Sequence, residues 1–214
     1  MRSHLTILIL LIVAALTYGC ANPAADKPKA TVANAAPESN SAKPTGTETL
    51  VISPENSKVE FVAAKVTRSH QGSFKQFSGK IDLVPNSIPE SRVSIDIDTG
   101  SVVADEADLT GHLKTADFFD VAKLPKATFV STKIEPSNTG GATHTVTGNL
   151  ELHGVKKSIT FPATIHVTPD NAAVDAEFAI NRKDFGIVYA GKADDLIRDG
   201  VVIKLALKVP RAKQ

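Results

Sequence analysis

Tryptophan is absent from this chain, and Cys20 is the only cysteine among its 214 residues. A single thiol excludes an internal disulfide framework and any cluster of cysteine ligands around a metal. Neither sign of charge is in excess, with 24 Lys and Arg against 23 Asp and Glu. That balance excludes recognition of nucleic acid through a basic surplus, and long-range steering of a charged ligand with it. Catalytic signatures are missing as well: there is no G-x-S-x-G elbow, no S-x-x-K, no phosphate-cradling glycine loop and no H-x-x-x-H pair. The chain is therefore expected to be neither an enzyme nor a metalloprotein, and to need no cofactor. What it does have is apolar mass, 42% of all residues, enough to exclude wholesale disorder. All nine Phe lie beyond residue 60, which assigns the aromatic bulk to one part of the chain.

Residues 1–19 read as an export signal: a short n-region with Arg2, then the twelve-residue apolar run Leu5–Leu16, too short to span a bilayer comfortably. Gly19 followed by the lone Cys20 resembles a bacterial lipobox, in which the cysteine becomes the acylated N-terminus; several acyl chains hold a protein stably on a membrane. Ala21 after it leans toward the outer membrane. The expectation is an exported, lipid-anchored protein whose domain lies in the periplasm or at the cell surface. Residues 20–48 hold many Ala and Pro, no aromatic residue and one large aliphatic, Val32, and read as a disordered, semi-extended tether.

From residue 49 to 214 the dominant signal is period two. Val93, Ile95 and Ile97 alternate with polar residues, as do Ile159 to Val167, Val174 to Ile180 and Val201 to Val209; weaker alternation covers Lys58–Val66, Phe74–Val84, Ala127–Glu135 and His144–His153. Turn formers such as Pro85-Asn86-Ser87 and Pro169-Asp170-Asn171 separate most of these runs. Asp105 to Ala116 breaks the pattern with Leu109, Leu113 and Ala116 at helical spacing. The expected fold is all-β: an eight-stranded antiparallel barrel with one short helix between strands three and four. A sandwich satisfies the same periodicity.

Several segments together resemble the YceI-like family of secreted, lipocalin-like barrels: Ser57-Lys58-Val59-Glu60-Phe61, His112-Leu113-Lys114-Thr115-Ala116-Asp117-Phe118-Phe119-Asp120-Val121, Leu124-Pro125-Lys126-Ala127-Thr128-Phe129 and Asn181-Arg182-Lys183-Asp184-Phe185-Gly186. The likeness covers residues 50–209 with its motifs in order. It implies an antiparallel barrel around an elongated apolar cavity that binds polyisoprenoids or similar long-chain amphiphiles, among them isoprenoid quinones.

Rings offer large contact area with few rotatable bonds, which suits an apolar lining. Phe74, Phe77, Phe118, Phe119, Phe129 and Phe185 are the expected walls, with Phe118-Phe119 after the helix placed to close a mouth. His112, at i+4 from Asp108, and Arg182, beside Asp184, are the candidates for a polar end. The expected function is binding, transport or sequestration of a long apolar molecule, with the membrane as second partner through Cys20 and a homodimer left open. The rival is a barrel packed solid that serves as a structural or protein-interaction module; the sequence alone leaves both standing.

Overall fold

Alternation becomes strand wherever it was strongest. Residues 22–37 and 46–211 are described by a computed structural model; the export segment, Cys20 and residues 38–45 fall outside it. The strands are β1 (Thr31–Asn34), β2 (Glu48–Ile52), β3 (Ser57–Ala64), β4 (Ser69–Phe74), β5 (Phe77–Leu83), β6 (Arg92–Asp98) and β7 (Val102–Ala104). After the helix α1 (Ala107–Leu113) come β8 (Lys126–Pro136), β9 (His144–Leu152), β10 (Val155–Val167), β11 (Asn171–Asn181), β12 (Gly191–Lys192), β13 (Asp195–Leu196) and β14 (Gly200–Pro210). No described helix is long and apolar enough to cross a membrane.

Twelve of these strands form one curled sheet in the order β2-β5-β6-β8-β9-β10-β11-β14-β3-β4-β7, with β1 paired to β10; β12 and β13 form a separate ribbon. Every ladder in it is antiparallel. The count is twelve rather than the expected eight because three long strands are broken at corners and β1, from the segment ahead of residue 48, adds one more. Asn56 makes one corner between β2 and β3, its side chain accepting from Ser53 N and donating to Val51 O. Ser101, between β6 and β7, makes another: its hydroxyl accepts from Gln76 N, between β4 and β5, and donates to Asp98 O at the end of β6. At each corner the chain changes direction without leaving the curl, so β2 runs into β3, β4 into β5 and β6 into β7. A corner of this kind lets a twisted sheet bend sharply, and periodicity does not register it.

The helix lies between β7 and β8 and is shorter than Asp105–Ala116 predicted. Lys114 already caps it, its N–H donating to the carbonyls of Gly111 and His112. Thr110 pins the helix to β7 by accepting from Ala104 N at 2.9 Å.

The largest departure concerns the tether. Instead of standing free, residues 22–37 are docked as a strap whose middle joins the sheet between β10 and β11. β1 lies against β10 with Val32 opposite Ile159. Ahead of it, Ala30 N donates to Ala179 O and Ala179 N to Pro28 O, both at 2.8 Å. Ala24 is buried against Ala179 and Val202, and the Asn149 side chain both accepts from Ala36 N and donates to Ala36 O. Composition alone misleads here because backbone pairing and three small apolar contacts, rather than a hydrophobic face, hold the strap.

Lys27 of the strap and Lys204 of β14 both pair with Glu177, at 3.0 and 3.3 Å. The Lys27 bond, followed by that of Lys204, holds the Glu177 carboxyl below its ordinary value of 4.5. A depressed carboxylate stabilises the fold above its unfolded pKa, and the contribution is lost as pH falls through the folded value. Glu177→Gln is therefore expected to lower the thermal midpoint at pH 7, with the gap from the parent closing below pH 4.5. A gap independent of pH contradicts the ion-pair assignment.

Candidate functional site

The interior is divided. One end is packed solid by Leu50, Ile52, Phe77, Ile81, Leu83, Leu207 and Val209. At the other end, Phe61, Val102, Leu113, Phe118 and Ile187 form a second packed layer beneath α1. Between them lies a cavity of about 160 Å³. Its walls are the inward phases of nearly every long strand: Val59 and Phe61 from β3, Ile95 and Ile97 from β6, Ala127 and Phe129 from β8, Ile159 and Phe161 from β10, Phe178 and Ile180 from β11, and Ile203 and Leu205 from β14. Only two lining residues are charged, Glu60 and Arg182. Walls of this chemistry offer an ordered water almost no polar partners.

Aromatic rings dominate the end nearest the helix. Phe74 meets Phe61 at 5.9 Å and Phe119, edge-on, at 5.6 Å. Phe118 packs edge-on against Tyr189 and His112. The helix is continued by a turn in which Phe119 N donates to Leu113 O and Phe118 N to Thr115 O. That turn sends the two adjacent rings into the same opening and closes it.

Of the six predicted wall residues, Phe74, Phe118, Phe119 and Phe129 line the cavity. Phe77 does not, because β5 places it in the solid end. Phe185 does not either: it sits on the turn Arg182–Phe185 after β11, wholly buried behind the wall formed by Phe161, Phe178 and Ile180. Sequence reasoning passed over Phe61, Phe161 and Phe178, although each occupies the apolar phase of its strand. Phe161 and Phe178 stack at 4.1 Å across β10 and β11. Tyr189 was missed for want of any periodic signal in its loop.

The two polar candidates are placed differently. His112 is at the mouth, outside the lining, with Nε2 at 2.7 Å from Asp117 Oδ2. Its partner is thus Asp117, across the turn, rather than Asp108 one helical turn back. Arg182 lines the cavity and is only 4% exposed. Its guanidinium donates to Ile187 O at 2.7 Å, to Arg198 O at 3.2 Å and to Ile197 O at 3.3 Å, and it pairs with Asp199 rather than Asp184. Burial pushes its pKa down while Asp199 opposes the shift. These bonds make Arg182 a tie between the end of β11 and the Ile187–Asp199 loop. Among the described residues no three His, Cys, Asp or Glu side chains gather as metal ligands.

A second histidine, His70 on β4, is buried with Nδ1 at 3.0 Å from Asp105 Oδ1. Burial raises the Asp105 carboxyl, but the bonds from His70 and Gln71 N outweigh it and leave the group below its ordinary value. The pair lies outside the cavity lining and fixes β4 to the entry of α1.

Comparison with known proteins agrees with this architecture. A UPF0312 protein of Pseudomonas putida is 38% identical over 126 residues, covering 56% of this chain and 65% of that protein. Protein YceI of Salmonella arizonae is 36% identical over 122 residues, covering 54% and 62%. The chain thus spans less than two thirds of the length of these relatives. Among solved structures, Burkholderia cenocepacia BcnA superposes with a TM-score of 0.65 at 27% identity, over 73% of this chain and 98% of that one. A polyisoprenoid binding domain from Saccharophagus degradans gives 0.60 at 18% identity, over 77% and 98%, a likeness of fold alone. The YceI-like domain matches residues 50–209, so the chain belongs to the YceI-like family.

Proposed function

We propose that the protein binds a long-chain apolar molecule, a polyisoprenoid, an isoprenoid quinone or a similar amphiphile, and holds it without chemistry. The observation that carries this reading is the apolar cavity between two packed layers, with rings at its mouth. A barrel serving only as a structural module gains nothing from such a void, because unfilled apolar space costs stability in proportion to its volume. Affinity would come from apolar area removed from water, at about 25 cal/mol per Å², less the cost of ordering the chain. The ligand class is the one named for the Saccharophagus degradans domain of the same fold.

The unliganded void, about 160 Å³, is close to the size that admits one benzene-sized guest. A longer chain therefore requires wall residues to turn aside. Phe74, Phe119 and Phe118 are the proposed movers, with the polar end of the ligand left at the mouth beside His112. Export, an acylated Cys20 and an envelope location, the outer membrane favoured, complete the proposal. Ala24 is buried only four residues after Cys20, and four residues reach no more than about 14 Å. Anchored there, the domain would rest close to the bilayer rather than on a long leash.

Fluorescence-monitored competition with geranylgeraniol tests the site. Phe119→Ala is expected to weaken binding about ten-fold, equivalent to about 1.4 kcal/mol, while near-UV circular dichroism stays that of a folded protein. Unchanged affinity removes Phe119 from the site; no binding by the parent protein removes the ligand class.

A further inference from the structure

We propose that a slit between β10 and β11 is a side entrance to the apolar cavity and that the strap of residues 22–37 is its gate. The proposal rests on the binding function argued above and supplies the route by which a long chain reaches so small a void.

The slit has a cause in the sequence. β10 and β11 are hydrogen-bonded only from Thr164 opposite Asp175 to Val167 opposite Ala172, although both strands continue well beyond. Ala163 O accepts from Thr143 N, and Ile165 N donates to Thr143 Oγ1. Residues 163 and 165 thus point their backbone groups toward the β9 side, and alternation turns residue 162 toward β11. Residue 162 is proline and has no N–H to give to β11, so the ladder stops and the strands part.

The strap fills the gap that results. Its first half bonds to Ala179 of β11 through Pro28 and Ala30, and its second half, β1, pairs with β10 from Thr31 opposite Thr160 to Asn34 opposite Lys157. The strands that flank it carry Ile159 and Phe161 on β10 and Phe178 and Ile180 on β11, which are cavity walls. Ala30 and Val32 pack onto the same cluster, Val32 sharing a sheet face with Ile159 opposite it. When the strap leaves, what is uncovered is backbone that water can satisfy and a seam with no ladder across it, spanned only by the stacked rings of Phe161 and Phe178, which must part to admit a chain.

The strap is built to leave. Thr31, Ala33 and Asn34 are exposed; the attachment consists of the backbone pairs, Ala24, Val32, the Lys27–Glu177 pair and the clasp of Asn149 on Ala36. It also precedes the segment matched by the family, which begins at residue 50.

A reversible lock tests it. Ala33 and Ser158 are opposed in register, and opposed residues of an antiparallel pair have Cα separations of about 4.5–5.5 Å, within disulfide range. In the full chain carrying Cys20→Ser, Ala33→Cys with Ser158→Cys makes strap opening redox-controlled. Uptake of cis-parinaric acid, which brightens on entering an apolar site, is followed by stopped flow. The oxidised form is expected to take up the probe about ten-fold more slowly than the reduced form, as gating predicts, with the same final occupancy. Asn149→Ala, which undoes the clasp, is expected to speed uptake. Equal rates in the two redox states, with occupancy preserved, overturn the gate and leave the binding function standing. No uptake in either state overturns both.

Discussion

Ile203→Phe is expected to abolish binding of long-chain apolar ligands while leaving the fold intact. Ile203 projects into the cavity from β14, with Phe61 of β3 and Phe178 of β11 in register on either side. A phenyl ring there occupies space that the first segment of a ligand needs, and the void of about 160 Å³ has little to spare. Affinity for geranylgeraniol should fall by more than about 100-fold, roughly 2.8 kcal/mol. Stability should change by less than about 1 to 3 kcal/mol, the usual cost of overpacking, since the ring enters an existing space. Val51→Phe is the control: Val51 is 66% exposed on the outer face of β2, and binding should not respond. Equal loss in both variants would mean that ligand is held on the surface.

Arg182→Met carries the largest expected effect on stability. Methionine keeps much of the side-chain length and none of the donors. Its substitution leaves the carbonyls of Ile187, Ile197 and Arg198 without the partner they have now, each at a cost of about 1 kcal/mol or more. A loss of about 3 kcal/mol lowers the thermal midpoint of a domain this size by about 6 to 12 °C. Lysine should not rescue it, because one ammonium cannot reach carbonyls that a planar guanidinium spans. Affinity per folded molecule should be nearly unchanged, since the guanidinium is committed to the loop. A Met variant that melts with the parent but binds ten-fold more weakly would return Arg182 to the ligand's polar end.

What the sequence made legible was whatever depends on side-chain periodicity. The inward phases of β6, β10, β11 and β14 could be read residue by residue, and the rings at 118 and 119 could be placed at a mouth because a helix ends just before them. Strand corners at Asn56 and Ser101 were not legible, since they depend on one side chain bonding to backbone at a distance. Phe77 and Phe185 were assigned to the cavity because apolar phase says which residues face inward and nothing about depth along the barrel. The same limit let Phe61, Phe161 and Phe178 pass. Arg182 was paired with Asp184 by proximity in sequence, whereas Asp199 reaches it only because the Ile187–Asp199 loop folds back. The strap was invisible for another reason: its sequence is that of a free linker, and its place is defined by a proline on a different strand.

The measurement that tests the account most directly is native mass spectrometry of the full chain carrying Cys20→Ser, purified from bacterial cells without detergent, followed by solvent extraction and identification of whatever it carried. The account predicts a discrete adduct with the mass of an isoprenoid or isoprenoid quinone, absent from Ile203→Phe prepared in the same way. A bare protein mass that stays bare after incubation with such lipids would contradict it, and would make the cavity an unfilled space in a barrel whose partner is something else.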